Sequence, residues 1–296
     1  MKILLTGATG FLGSYLLKEF IQNNYQVIIL KRSTSNLFRI KEVISKVKYY
    51  DVDKINLKQV FKENPDIGTI FHTATCYGRK GESLKEMINT NLVFPLEILE
   101  LASQENVEEF WNIDTVLFKN TNHYALSKKQ FKDWGRDLAL MKKIKFYNLK
   151  MEHIYGRLDD DNKFITYVLK KCLSNMSSID LTFGEQKRDF IYVEDVVKII
   201  NFLLNNVMIK SANFKEFEIG TGTSIKIKDA VKIIKKATKS NIDLNFGALN
   251  YRENELMESS ANLDALVSVG YNIDLTMDFC QGIKCLLNNE EFNCEN

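Results

Sequence analysis

Lys2-Ile3-Leu4-Leu5-Thr6-Gly7-Ala8-Thr9-Gly10-Phe11-Leu12-Gly13 opens the chain and decides its fold. A short apolar run, Ile3–Leu5, leads into three glycines spaced G-x-x-G-x-x-G, and an amphipathic stretch, Phe11–Gln22, follows at once. Strand, tight turn and helix in that order make the first half of a dinucleotide-binding unit. Gly7 and Gly10 let the backbone approach a pyrophosphate, and Gly13 lets the helix pack close to the strand. Thr9, Phe11 and Leu12 complete the turn, whose free amides at the helix start face the anion. A ligand-free glycine turn is the alternative, and its place between strand and helix speaks against it.

Working outward, apolar runs recur at Val27–Leu30, Val47–Val52, Thr69–Ala74, Glu109–Ile113 and Lys145–Met151, with helical patterns such as Leu84–Ala102 and Tyr124–Met141 between them. The runs lack period-two alternation, as expected of strands covered on both faces. The expected fold is α/β: a Rossmann-type, doubly wound parallel sheet with a smaller mixed α/β substrate-binding lobe at the C-terminal end. Only two prolines occur and no linker is visible, so the domains should interleave. Residues 1–152 and 186–221 are expected in the nucleotide domain, 153–185 and 222–296 in the lobe.

Composition narrows the partners. Across 296 residues, 40 Lys+Arg face 38 Asp+Glu, which gives no footprint for a nucleic acid or an anionic membrane. No apolar run approaches the roughly 20 residues of a membrane span, and the start lacks a signal-peptide core. Cys76, Cys172, Cys280, Cys285 and Cys294 form no C-x-x-C, so neither a disulfide framework nor a metal site is expected. A reducing cytoplasm fits this cysteine usage.

The second strand ends in Leu30-Lys31-Arg32-Ser33, where an NAD enzyme would place an acid against the ribose 2′-OH. Two cations and a hydroxyl suit a 2′-phosphate instead, with Arg32 able to bind it bidentately. NADPH is therefore the expected cofactor, an accidental basic pair being the alternative. A Tyr-x-x-x-Lys pair on one helix presents a phenol and an ammonium on the same face. Three such pairs occur, Tyr50/Lys54, Tyr124/Lys128 and Tyr167/Lys171, and only Tyr124/Lys128 begins the helix after the fifth strand. Its cation is expected to lower the tyrosine pKa from about 10 and make Tyr124 the proton-transfer group.

Gly7–Gly13, Asp51-Val52, His72-Thr73-Ala74, Asn91, Tyr124–Lys128, Tyr155-Gly156 and Arg188-Asp189-Phe190 together resemble the ordered motifs of the extended short-chain dehydrogenase/reductases, which act on nucleotide sugars. Within that group Cys76–Arg79, Lys150–Gly156, Asp161–Phe164, Gly184–Phe190 and Arg252–Met257 resemble the CDP-paratose and CDP-abequose synthases, which reduce a C4 ketone with NADPH. The resemblance implies cofactor contacts from Asp51, Val52, Thr73, Ala74, Thr75, Asn91 and Met151. It implies substrate contacts from Tyr77, Arg79, His153, Lys163, Arg188, Arg252 and Glu255, and a homodimer built on Leu84–Ala102 and Tyr124–Met141. A deoxysugar for capsule or O-antigen polysaccharide is the implied product.

One departure matters. The family's catalytic hydroxyl falls on Ile113 in Ile113-Asp114-Thr115-Val116-Leu117, and Thr115, two residues on, points to the same side of a strand. Thr115 is therefore the candidate hydroxyl for catalysis and substrate. Relatives that dehydrate their sugar carry glutamate there, so threonine argues for simple reduction. An NAD-dependent 4-epimerase and a non-catalytic dinucleotide sensor remain as competing readings.

Overall fold

β1 (Lys2–Thr6) is the pivot of a seven-stranded sheet. After α1 (Phe11–Gln22), β2 (Gln26–Lys31) and β3 (Lys48–Asp51) extend the sheet to one side; after α2 (Leu57–Glu63), β4 (Ile67–His72) returns to the other side of β1. α3 (Leu84–Ile88), a π turn (Asn89–Val93) and α4 (Phe94–Gln104) precede β5 (Glu109–Thr115), and α5 (His123–Leu140) leads to β6 (Lys145–Met151). The chain then forms β7 (His153–Tyr155), α6 (Phe164–Leu173), β8 (Ser178–Leu181), β9 (Lys187–Tyr192) and α7 (Val193–Leu204). β10 (Phe214–Ile219) completes the sheet, in the order β10-β6-β5-β4-β1-β2-β3. The pairs β1/β2, β1/β4, β2/β3 and β4/β5 are parallel. β11 (Ser224–Lys226), α8 (Ile227–Ala237), β12 (Asp243–Phe246), α9 (Asp264–Ser268) and α10 (Phe279–Asn288) come last.

The computed structural model describes residues 1–174, 176–253 and 255–288; Asn254, Cys294 and the polar tail lie outside the described residues. Two compact units result, one of Met1–Lys150 with Leu203–Phe217, the other of Met151–Phe202 with the described part of Glu218–Asn296. The returning segment is shorter than 186–221 because β9 pairs with β7 and β11, a three-stranded sheet of the second unit. In the first unit the sheet is filled on both faces, which is why the strands do not alternate. Leu4, Ile28, Ile70, Phe110, Phe131 and Phe146 are fully or almost fully buried in one core, and Phe71 stacks on Trp111 at 5.3 Å. Each such side chain contributes on the order of 1.5–3 kcal/mol by leaving water. In the second unit α6, α8 and α10 share a separate core with Tyr155, Phe190 and Tyr192. Among the described residues no helix is long and apolar enough to cross a membrane.

Candidate active site

The switch in strand order at β1 puts the carboxyl ends of β1 and β4 side by side, the place where open α/β sheets bind ligands. The glycine turn leaves β1 at that point. Gly7 has φ of 72°, and a Cβ there would lie 2.5 Å from Ala74 N and Thr73 Oγ1; a Cβ on Gly13 would lie 2.1 Å from the Gly7 carbonyl. The Thr73 hydroxyl donates to the Thr6 carbonyl at 2.7 Å, and Ala74 N–H donates to Thr6 Oγ1. Thr73 and Ala74 thus wall the turn. Gly10 is the N-cap of α1 and supplies no side-chain acceptor; the amides of Phe11, Leu12 and Gly13 in the first turn have no intrahelical acceptor. That donor set fits a cofactor pyrophosphate. Arg39, which sequence reasoning missed, reaches the Thr9 carbonyl at 3.5 Å.

The adenosine end differs from expectation. Lys31 is committed: its ammonium pairs with Asp51, its register partner on β3, and lies 4.7 Å from the centre of the Tyr49 ring. It is not a free cation for a 2′-phosphate. Val52 N–H donates to the Lys31 carbonyl at 2.8 Å and fixes the β3 end beside it. Arg32 is exposed, and its backbone N–H donates to Ser35 Oγ.

Asn91 also departs from its expected role. Its amide donates to the Cys76 carbonyl at 2.8 Å and to Ser127 Oγ at 3.0 Å, while its oxygen accepts from Cys76 N–H at 2.7 Å and from the Thr75 hydroxyl. Both donors and the acceptor are satisfied within the protein. Asn91 ties the loop after β4 to α5 and has no donor left for a cofactor. It sits in the π turn, a distortion that is frequent at functional sites.

α5 starts at an Asn122 cap whose side chain accepts from Ala125 N–H at 2.8 Å, and its first turns carry the Tyr124/Lys128 pair. Thr115 at the end of β5 stands near enough to the Tyr124 phenol to favour its ionised form, and its hydroxyl accepts from Leu117 N–H at 3.2 Å. The Tyr77 ring packs on Tyr124 at 4.9 Å, and the Arg79 guanidinium lies 5.5 Å from the Tyr77 ring centre. Sequence-predicted Thr115, Tyr77, Arg79, Tyr124 and Lys128 are thus brought together. The Tyr124 pKa moves opposite to expectation. Burial pushes it well above 10, with Tyr77 and Asp114 adding to the rise, and Thr115 and Arg79 only oppose it. Lys128, almost fully buried, is pushed down to about 8 by burial and Lys129, against the pull of Asp114.

A clamp beneath this pair was not foreseen. Asp114 accepts from Thr115 N–H at 2.7 Å, from Lys129 Nζ at 2.9 Å and from Asn148 Nδ2 at 3.0 Å. Lys129 also donates to the Thr115 carbonyl. Both peptide groups flanking Thr115 are therefore held. The clue in the sequence was the second lysine of Lys128-Lys129.

In the second unit, Met151 is buried at the end of β6. Arg188 on β9 pairs with Glu255 and donates to the Lys187 carbonyl at 2.7 Å, so two expected substrate contacts meet as an ion pair. Burial lowers the Arg188 pKa, opposed by Glu255 and Glu152. Arg252 is exposed, and its carbonyl accepts from Glu255 N–H. His153 Nδ1 lies 3.2 Å from Glu152, a buried acid that accepts from Ser259 at 2.6 Å. Lys163 caps the start of α6 through its backbone alone.

Comparison with known proteins bears on this arrangement. Residues 3–220 match the model of the NAD dependent epimerase/dehydratase family. A CDP-abequose synthase of Salmonella muenchen is 34% identical over 98% of both chains, and one of Salmonella typhimurium is 32% identical over 96% of this chain and 97% of that one. Among solved structures, a UDP-glucose 4-epimerase of Thermotoga maritima superposes with a TM-score of 0.84 at 19% identity over 97% of both chains. One of Thermus thermophilus, in complex with NAD, gives 0.81 at 19%, over 97% of this chain and 98% of that one. The turn, the Tyr124/Lys128 helix and these full-length matches make the chain a member of the NAD dependent epimerase/dehydratase family.

Proposed function

We propose that this chain is an NADPH-dependent reductase of the C4 ketone of a CDP- or GDP-linked 4-keto deoxysugar, serving surface-polysaccharide synthesis. The observation that carries the reading is the grouping of Thr115 and Tyr124 beside buried Lys128, with threonine where a dehydrating relative would need glutamate. The full-length similarity to the two CDP-abequose synthases supports the substrate class.

The bound cofactor would supply a hydride. The protein's own part begins with Thr115, which donates to the substrate's carbonyl oxygen and positions it against Tyr124. Tyr124, held protonated by burial, passes its phenolic proton to the oxygen as negative charge develops there. Lys128 keeps its ammonium below about pH 8, where it steadies the phenolate left behind and holds the cofactor ribose. Tyr77 and Arg79 border the sugar. We assign the nucleotide diphosphate to Arg188 and Arg252 of the second unit, with His153, Lys163 and Glu255 as further substrate contacts. Exposed Leu84, Ile88 and Val93 with exposed Trp134, Leu140 and Met141 supply the apolar face of a homodimer through the α3–α4 and α5 segments.

The test is a panel of 4-keto sugar nucleotides assayed for stoichiometric NADPH oxidation, with the product's C4 configuration read by NMR. Tyr124→Phe is expected to lower turnover on the order of 100- to 10,000-fold while leaving NADPH binding nearly unchanged; full activity in that variant rejects the assignment. The second reading, a 4-epimerase, is favoured by the similarity to epimerases solved with NAD. It requires interconversion of C4 epimers without net cofactor consumption.

A further inference from the structure

The end of β2 lacks the acid that would face an adenosine ribose, and the structure supplies one from the turn after β3. Lys31 and Asp51 are register partners, so Asp53, two residues past one, reaches Ser33, two residues past the other. Asp53 Oδ1 accepts from Ser33 N–H at 2.7 Å, and Oδ2 accepts from the Ser33 hydroxyl at 2.5 Å. Both polar hydrogens of Ser33 are taken in the two-pronged manner an incoming phosphate would use. The same bonds hold the Asp53 carboxyl below the usual carboxylate range, so it is ionised at neutral pH. With Lys31 paired to Asp51, exposed Arg32 is the cation of the β2 end that stands outside this pairing.

Resting on the reading of the glycine turn as a dinucleotide site, we propose that Asp53 sets the choice between NADH and NADPH. Its carboxylate accepts from a ribose 2′-hydroxyl, and a 2′-phosphate must displace it from Ser33. Arg32 and Asp53 therefore pull the cofactor preference in opposite directions. A 2′-phosphate gains the Arg32 fork but meets a carboxylate already on its hydrogen-bond donors. A 2′-hydroxyl meets an acceptor in place.

The test is calorimetric titration of the full chain with NADPH, NADH, 2′,5′-ADP and 5′-AMP, which reads binding independently of turnover. Asp53→Asn is expected to raise the ratio of NADPH to NADH affinity about tenfold, equal to about 1.4 kcal/mol, and to move the 2′,5′-ADP to 5′-AMP ratio alike. Asp53→Ala, which deletes the acceptor as well, should raise both ratios at least as far. Asp53 is exposed, so both variants should fold, and circular dichroism checks that they do. Ratios unchanged within threefold, or lowered, overturn the proposal. The NADPH reading fails separately: wild-type protein that binds only NADH rejects it, and the Asp53 proposal then stands or falls on whether Asp53→Asn gains 2′,5′-ADP binding. Arg32→Ala should lower NADPH affinity and spare NADH, which separates the cation's share from that of Asp53.

Discussion

Replacing Lys128 with methionine is expected to stabilise the fold while removing its activity. Lys128 is 1% exposed and its pKa falls from 10.5 to about 8. A base whose folded pKa is depressed binds its proton less well in the native state, so the cost is full at low pH and fades as pH rises through 8 toward 10.5. Single-site linkage between those two values gives a cost of about 3 kcal/mol at pH 7 and about 1 kcal/mol near pH 9.5. Methionine keeps most of the aliphatic stem and drops the charge. Asp114 is not stranded by the change, since it keeps Lys129 at 2.9 Å and Asn148 at 3.0 Å. Thermal melts followed by circular dichroism should place Lys128→Met roughly 5 to 10 °C above wild type at neutral pH, and the gap should shrink by more than half near pH 9.5. A gap that ignores pH, or a variant less stable at pH 7, refutes the reasoning. A stabilised, inactive protein would show that the site retains a strained charge for its chemistry.

Two further outcomes rest on the geometry. Gly13→Ala sets a methyl 2.1 Å from the Gly7 carbonyl, so α1 must shift from β1; cofactor affinity should fall at least tenfold by titration, and unchanged affinity would remove Gly13 from the site. Lys129→Met leaves the Thr115 carbonyl and one side of Asp114 without their cation, which should lower kcat more than KM for either substrate. Lys129→Arg should restore part of kcat, and an equal loss in both variants would reduce Lys129 to a structural role.

The range of each interaction decides how much of this is legible in the sequence. The glycine turn and the strand–helix alternation are local patterns, and they placed the sheet and α1. The place of Thr115 near Tyr124 was legible because strand geometry sends residues two apart to one side. The Lys31–Asp51 pair was not, since it depends on β2 and β3 lying side by side in one particular register. The direction of the Tyr124 shift was missed for a related reason. Spacing puts a cation one turn away, but burial against Tyr77 and Asp114 decides the energy, and only packing reveals it. Asn91 was found as a residue and misread as a contact, because its partners Cys76 and Ser127 are distant in sequence.

The π turn at Asn89–Val93 carries a consequence of its own. A π turn is an α-helix with one residue too many, so deleting a single residue there would restore helical phase from Leu84 to Gln104 but leave Pro95, now in the first turn of α4, in the interior of the helix. The segment so repaired would also be the poorer scaffold. Removing one residue rotates the upstream turns by about 100° relative to the downstream ones, and the amide that holds Thr75, Cys76 and Ser127 could no longer meet all three. The extra residue works as a phase adjuster: it lets one segment present an apolar face along its length and still turn a single polar side chain inward at the loop that borders Tyr124.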